Sequence, residues 1–184
     1  MTWPLIIIVA VIVILGIWLA ASYNRLTKSR IRLDNSWSQI NVQLKMRADL
    51  VPNLVNTVKG YATHEQDTLR EVVAARSRFM SAETPEATME SGNEIANLMG
   101  RLFALAEQYP DLKANSSFLD LQSQLSEIEK KIAMSRQFYN DAVMLYNRQV
   151  RVFPGNIAAA IFGFRERPYF EIDQVEAQSP VVEF

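Results

Sequence analysis

The sequence predicts an all-α protein: an N-terminal transmembrane helix, then an elongated antiparallel four-helix bundle with a short apolar C-terminal tail. Three observations carry that expectation. Residues 1–24 hold no charged side chain. From residue 23 onward, apolar positions recur at the seven-residue spacing of packed helices. Glycine and proline, at 6 and 7 among 184 residues, are too scarce for the turns of a β-sandwich.

Residues 5–19 contain twelve Leu, Ile or Val side chains. At about −0.3 to −0.6 kcal/mol each, these contribute on the order of −4 to −7 kcal/mol to bilayer insertion. Leu5, Ile8, Ile12, Leu15 and Leu19 represent the spanning side chains, and residues 1–22 form the anchor. The competing reading is a cleaved signal peptide, which has a basic start and an apolar stretch of about 7–15 residues. Here the apolar run is longer and no basic side chain precedes it. Trp3 and Tyr23 flank the run where aromatic belts sit. Arg25, Lys28, Arg30 and Arg32 follow at once, opposed only by Asp34. By the positive-inside rule the N-terminus lies outside and the main domain in the cytoplasm. Those cations either rest on anionic headgroups or serve as topology determinants alone.

Beyond the anchor, residues 23–153 divide into helices near 23–61, 63–82, 85–109 and 117–153. In the first, one seam reads Trp37, Leu44, Val51, Val58 and the other Leu26, Leu33, Ile40, Arg47, Leu54, Tyr61. The phase survives Pro52, which predicts one helix kinked there; the alternative breaks the chain at Asp49. Gly60 stops this helix, and Thr63-His64-Glu65-Gln66 has capping-box spacing for the next, whose apolar face is Leu69, Val72, Val73, Phe79 and Met80. Thr84-Pro85-Glu86 supplies a cap, a first-turn proline and a first-turn acid for the third, which buries Ile95, Leu98, Met99, Leu102, Phe103 and Leu105 before Pro110 ends it. Ser117 and Asp120 are expected to cap the fourth. Its seam is Leu121, Leu125, Ile128, Ile132, Tyr139, Ala142, Tyr146, Val150 and Phe153, stopped by Pro154-Gly155. Up-down-up-down closure would return Phe153 toward Tyr23. It would also deliver the tail residues Ile157, Ile161, Phe162 and Phe164 near the bilayer, to touch lipid, their own bundle or a neighbouring subunit. Residues 154–184 are expected to be apolar and extended.

Several stretches resemble the LemA family. They are Tyr23-Asn24-Arg25-Leu26, Asn35-Ser36-Trp37-Ser38-Gln39-Ile40, Gln43-Leu44-Lys45-Met46-Arg47-Ala48-Asp49-Leu50-Val51-Pro52-Asn53-Leu54-Val55, Val58-Lys59-Gly60-Tyr61, Phe153-Pro154-Gly155-Asn156 and Phe162-Gly163-Phe164-Arg165-Glu166-Arg167-Pro168-Tyr169-Phe170. The resemblance implies a single-pass bacterial inner-membrane protein with a short external N-terminus, a cytoplasmic helical bundle, and ties to envelope maintenance and membrane proteases. It implies no catalytic residue.

The residues themselves offer little chemistry. Without cysteine there is no disulfide, thiolate nucleophile or cysteine-ligated metal. His64, the sole histidine, lacks the second histidine of a zinc-protease helix or of a paired carboxylate site. The six glycines are scattered and form no phosphate loop. With 19 basic against 20 acidic residues, and aromatics on the seams, bulk nucleic-acid binding is disfavoured. No enzyme, cofactor, metal or small-molecule substrate is expected. Arg47 is the anomaly: it occupies a seam position and needs a carboxylate, either Asp49 or an acid from another helix. Arg47 and Asp49 then mark either a partner surface or a register-setting core pair. The expected function is a membrane-anchored, non-catalytic scaffold that binds the bilayer and assembles with itself or with other membrane proteins. Gly16 and Ala20, a small-xxx-small pair, hint at helix packing in lipid. The alternative is a peripheral lipid-binding or membrane-shaping module using the basic collar and apolar tail.

Overall fold

The computed structural model describes residues 2–62 and 65–170. Among them are six helices and no strand: α1 (Trp3–Lys59), α2 (Gln66–Met80), α3 (Pro85–Ala106), α4 (Pro110–Lys113), α5 (Ser116–Arg151) and α6 (Gly155–Phe162). The protein is all-α. Thr63 and His64, with their share of the expected capping box, lie outside the described residues, as does the tail beyond Phe170.

α1 begins in the apolar run and continues without a break to Lys59, so Pro52 does not end it. A proline at position 52 cannot donate to the carbonyl of Ala48, four residues back. That carbonyl is buried with its residue. Arg76 of α2 satisfies it from outside, Nε donating to Ala48 O at 2.9 Å. The same guanidinium reaches Asp49 at 3.8 Å. A neighbouring helix thus supplies the donor that the proline withholds.

The chain divides into two compact units, one of residues 37–136 and the other of residues 1–36 together with the chain from Gln137 onward. In the first, Ile40, Leu44, Val51, Leu54 and Val58 of α1 are buried, as are Leu69, Val72 and Phe79 of α2. Ile95, Leu98, Met99 and Leu102 of α3 and Leu121, Leu125, Ile128 and Ile132 of α5 complete the core. Thr84 caps α3 as expected, its hydroxyl accepting from Ala87 N at 3.2 Å, with Pro85 in the first turn.

Other expectations need correction. Val73 and Met80 are half exposed, because the buried stripe of α2 is narrower than its apolar composition. Tyr61 leaves the seam after α1 has ended; its hydroxyl lies in the open and accepts from Asn115 Nδ2 at 2.9 Å. α3 stops at Ala106, short of the expected residue 109, and Pro110 then opens the short α4. Asn115, not Ser117, caps α5, with Oδ1 accepting from Phe118 N at 3.1 Å. Phe153 is exposed, since α5 stops at Arg151 before the seam reaches it. Residues 155–162 are helical where an extended tail was expected. α6 ends at Gly163, whose φ of 72° is the left-handed conformation glycine tolerates best, and Phe164 N returns to Ala159 O at 2.9 Å.

In the second unit, Leu26 packs with Ala158 and Ala159, bordered by Trp18, Leu19, Val150 and Phe164. Residues 164–170 have no regular structure and run along α5, which presents hydrogen-bonding side chains to them from Tyr139 and Asn140 and, two turns on, from Tyr146 and Asn147.

Candidate functional site

The polar centre of the first unit is built on Arg47. This side chain has no exposed surface. Its Nη1 donates to Glu129 Oε1 of α5 at 2.8 Å and its Nη2 donates to the Gly92 carbonyl of α3. A Cβ on Gly92 would stand 3.4 Å from that Nη2 and 3.3 Å from Leu44 Cδ2, so the bare glycine makes room for the guanidinium. Nε of Arg47 has no hydrogen-bond partner. The carboxylate comes from another helix; Asp49 is exposed and faces Arg76 instead. Arg47 and Asp49 therefore do not form one cluster, and Arg47 has no surface to offer a partner.

The second unit holds a ladder that sequence periodicity did not reveal. Tyr139-Asn140 and Tyr146-Asn147 repeat at seven residues on α5. Asn147 makes a paired bond with Arg167: Nδ2 donates to its carbonyl at 2.8 Å and Oδ1 accepts from its N–H at 2.9 Å. Asn140 does the same with Phe170, at 3.1 and 2.8 Å. The tyrosine hydroxyls donate to Pro168 O (Tyr139, 3.1 Å) and Arg165 O (Tyr146, 2.9 Å). The registers agree: seven helical residues rise about 10.5 Å, and the three residues from 167 to 170 cover about 10 Å when extended. The carboxamides act as detached peptide groups, giving residues 165–170 the bonds a neighbouring strand would give. Phe170 closes the ladder as a buried side chain. Burial pushes the Tyr146 phenol above its ordinary range, against the lowering influence of Arg167 and Arg30. Arg151 grips Glu166 through Nε at 2.6 Å and through Nη2. That hydrogen bonding holds the Glu166 carboxyl below its usual range and raises the Arg151 guanidinium. The repeated Tyr-Asn pair was the signal available in the sequence.

The apolar run of α1 is long and apolar enough to cross a membrane, and none of it is buried inside the protein. A core helix of like composition would be covered. Leu5, Ile8, Ile12 and Leu15 are exposed, and Leu19 is partly covered where α6 begins to pack. Trp3 is the most exposed aromatic near the start of the run. Tyr23 stacks edge-on with Phe162 at 4.9 Å and lies 5.8 Å from Phe164. Arg25, Lys28 and Arg32 form a recess with Ser29 and Asn24, while Arg30 faces Asp34 at 4.0 Å. α6 turns Ala158 and Ala159 inward and leaves Ile157, Ile161 and Phe162 exposed. Among the described residues no group of His, Asp and Glu is arranged to hold a metal.

Comparison with known proteins places these features. The model of the LemA family matches residues 36–184. The magnetosome protein MamQ 2 of Paramagnetospirillum magneticum is 31% identical over 97 residues, 53% of this chain and 35% of that protein. Protein LemA of Metamycoplasma hominis is 25% identical over 154 residues, 83% of this chain and 70% of that one. The magnetosome protein MamQ of Magnetospirillum gryphiswaldense is 24% identical over 171 residues, covering 79% and 62%. The chain thus spans about a third of the length of MamQ 2. With a family match over four-fifths of its length and this all-α fold, the chain belongs to the LemA family.

Proposed function

We propose that this protein is a membrane-tethered, non-catalytic scaffold. Residues 1–22 anchor it in a bacterial inner membrane with the N-terminus outside. The cytoplasmic part is an antiparallel four-helix bundle that works by contact with copies of itself or with other membrane proteins, in envelope maintenance or beside membrane proteases. The observation that carries this reading is the outward face of α6. Ile157, Ile161 and Phe162 are exposed on a helix whose inner face packs against Leu26, seven residues beyond Leu19. Large apolar side chains held in water gain on the order of 1.5–3 kcal/mol each when fully covered.

Two surfaces suit that face. The first is another protein subunit. The second, favoured by contact of α6 with Trp18, Leu19 and Tyr23, is the bilayer, which makes the protein a lipid-binding or membrane-shaping module as well. A spin label separates them. The chain has no cysteine, so Ile161→Cys gives a single labelling site. In liposomes holding the full-length protein, immobilisation with spin–spin broadening is expected for a subunit contact. Accessibility to oxygen but not to a polar relaxation agent is expected for lipid. A label that is mobile and water-exposed would refute both.

A further inference from the structure

The second unit carries a groove of about 460 Å³, lined by Trp18, Ser22 and Arg25 of α1, by Arg148 in the last turn of α5 and by Val152 and Phe153 just beyond it. Its chemistry changes along its length. A bilayer core takes about 20 helical residues, so a span starting at Trp3 leaves the hydrocarbon near Ser22. Trp18 then sits about one turn inside that boundary, and Arg25 about 4.5 Å beyond it, at headgroup level. Val152 and Phe153 are large, apolar and exposed, at 55% and 74%. No acid lines the groove. Neither Arg25 nor Arg148 forms an ion pair with a described residue, although eight such pairs tie up other charges. Arg148 is not part of the juxtamembrane run of cations; folding brings it to the lining.

An apolar wall meeting two unneutralised guanidinium groups beside a membrane exit matches one class of molecule. We propose that this groove binds a single anionic phospholipid from the bilayer that holds the protein. Arg25 and Arg148 take the phosphate, with the planar, multi-donor geometry that suits guanidinium to phosphate oxygens. Trp18, Val152 and Phe153 take the upper part of an acyl chain. This differs from diffuse attraction of a basic collar, to which Lys28 and Arg32 would contribute as much as Arg25. The inference rests on the reading of residues 1–22 as a membrane anchor.

The test uses the full-length protein, purified in detergent and titrated with phosphatidylglycerol or phosphatidylcholine, with lipid adducts resolved by native mass spectrometry. Phosphatidylglycerol should be retained in preference to phosphatidylcholine. The double variant Arg25→Gln/Arg148→Gln should lose about tenfold or more in that affinity. Lys28→Gln/Arg32→Gln, with the same loss of charge, should lose little. All four side chains lie on the surface, and circular dichroism verifies that each variant remains folded. Equal retention of the two lipids, equal losses in the two double variants, or displacement of phosphatidylglycerol by millimolar inorganic phosphate would overturn the proposal. Recovery of the protein outside the membrane fraction would instead overturn the anchor, and this inference with it.

Discussion

Arg47 brings a permanent charge into a core of Leu, Val and Ile, and its neighbours determine what that costs. Glu129 and the Gly92 carbonyl satisfy two of its nitrogens, while Nε goes without. Taking away one partner of a buried charge is worse than removing the charge itself. Glu129→Ala is therefore expected to cost about 2 kcal/mol of stability. Arg47→Met, which fills a similar volume without needing a carboxylate, should cost clearly less. Thermal unfolding of both variants in detergent checks the order; a more damaging Arg47→Met would show that the pair contributes net stability. On the other unit, each of Asn140 and Asn147 makes two bonds to one backbone residue. Asn147→Ala should cost about 1–3 kcal/mol and release hydrogen-exchange protection at the Arg167 amide. Asn147→Asp keeps the acceptor for that amide but sets a buried carboxylate oxygen against the Arg167 carbonyl, so at neutral pH it should cost at least as much as Asn147→Ala.

At the level of elements, α1 passes through Pro52 because α2 supplies a donor from Arg76. Arg76→Met should leave the Ala48 carbonyl unsatisfied and cost about 1–3 kcal/mol. In a Pro52→Ala background the residue-52 amide takes over that carbonyl, and the same change should cost appreciably less. Additive effects in this double-mutant cycle would contradict the compensation. The segment 164–170 adds a pH response. Glu166 has a folded pKa below its unfolded value, so its link to Arg151 contributes fully above the unfolded pKa, about 4.3. The contribution disappears as pH falls through the depressed folded value. Amide protection over residues 164–170 should hold from neutral pH to about pH 5 and weaken in more acid solution, a step that Glu166→Gln abolishes.

Much of this was legible in advance. The apolar run, the all-α class, the seams of α1 and α5 and the Thr84 cap follow from charge, spacing and local capping chemistry. The misses have physical causes. Periodicity finds the direction of a helix face but not its width, so Val73 and Met80 fell on the wrong side of an edge. An irregular segment has no period, so the partners of Asn140 and Asn147 were invisible. Arg47 announced its need for an acid, but only folding could select Glu129 over the nearby Asp49.

At the scale of the molecule, most features lead to contact. One uncovered apolar helix segment, a basic collar and an α6 with its bulky side facing out are the features on which the proposed scaffold role rests. A membrane-tethered scaffold should exist in its bilayer as an assembly. The most direct measurement is the mass of the full-length protein released from native membranes into lipid nanodiscs, counted particle by particle. The account predicts protein masses at discrete multiples of 21.0 kDa, or one copy bound to another membrane protein. Recovery as a solitary 21.0 kDa chain, above all from the soluble fraction, would contradict it.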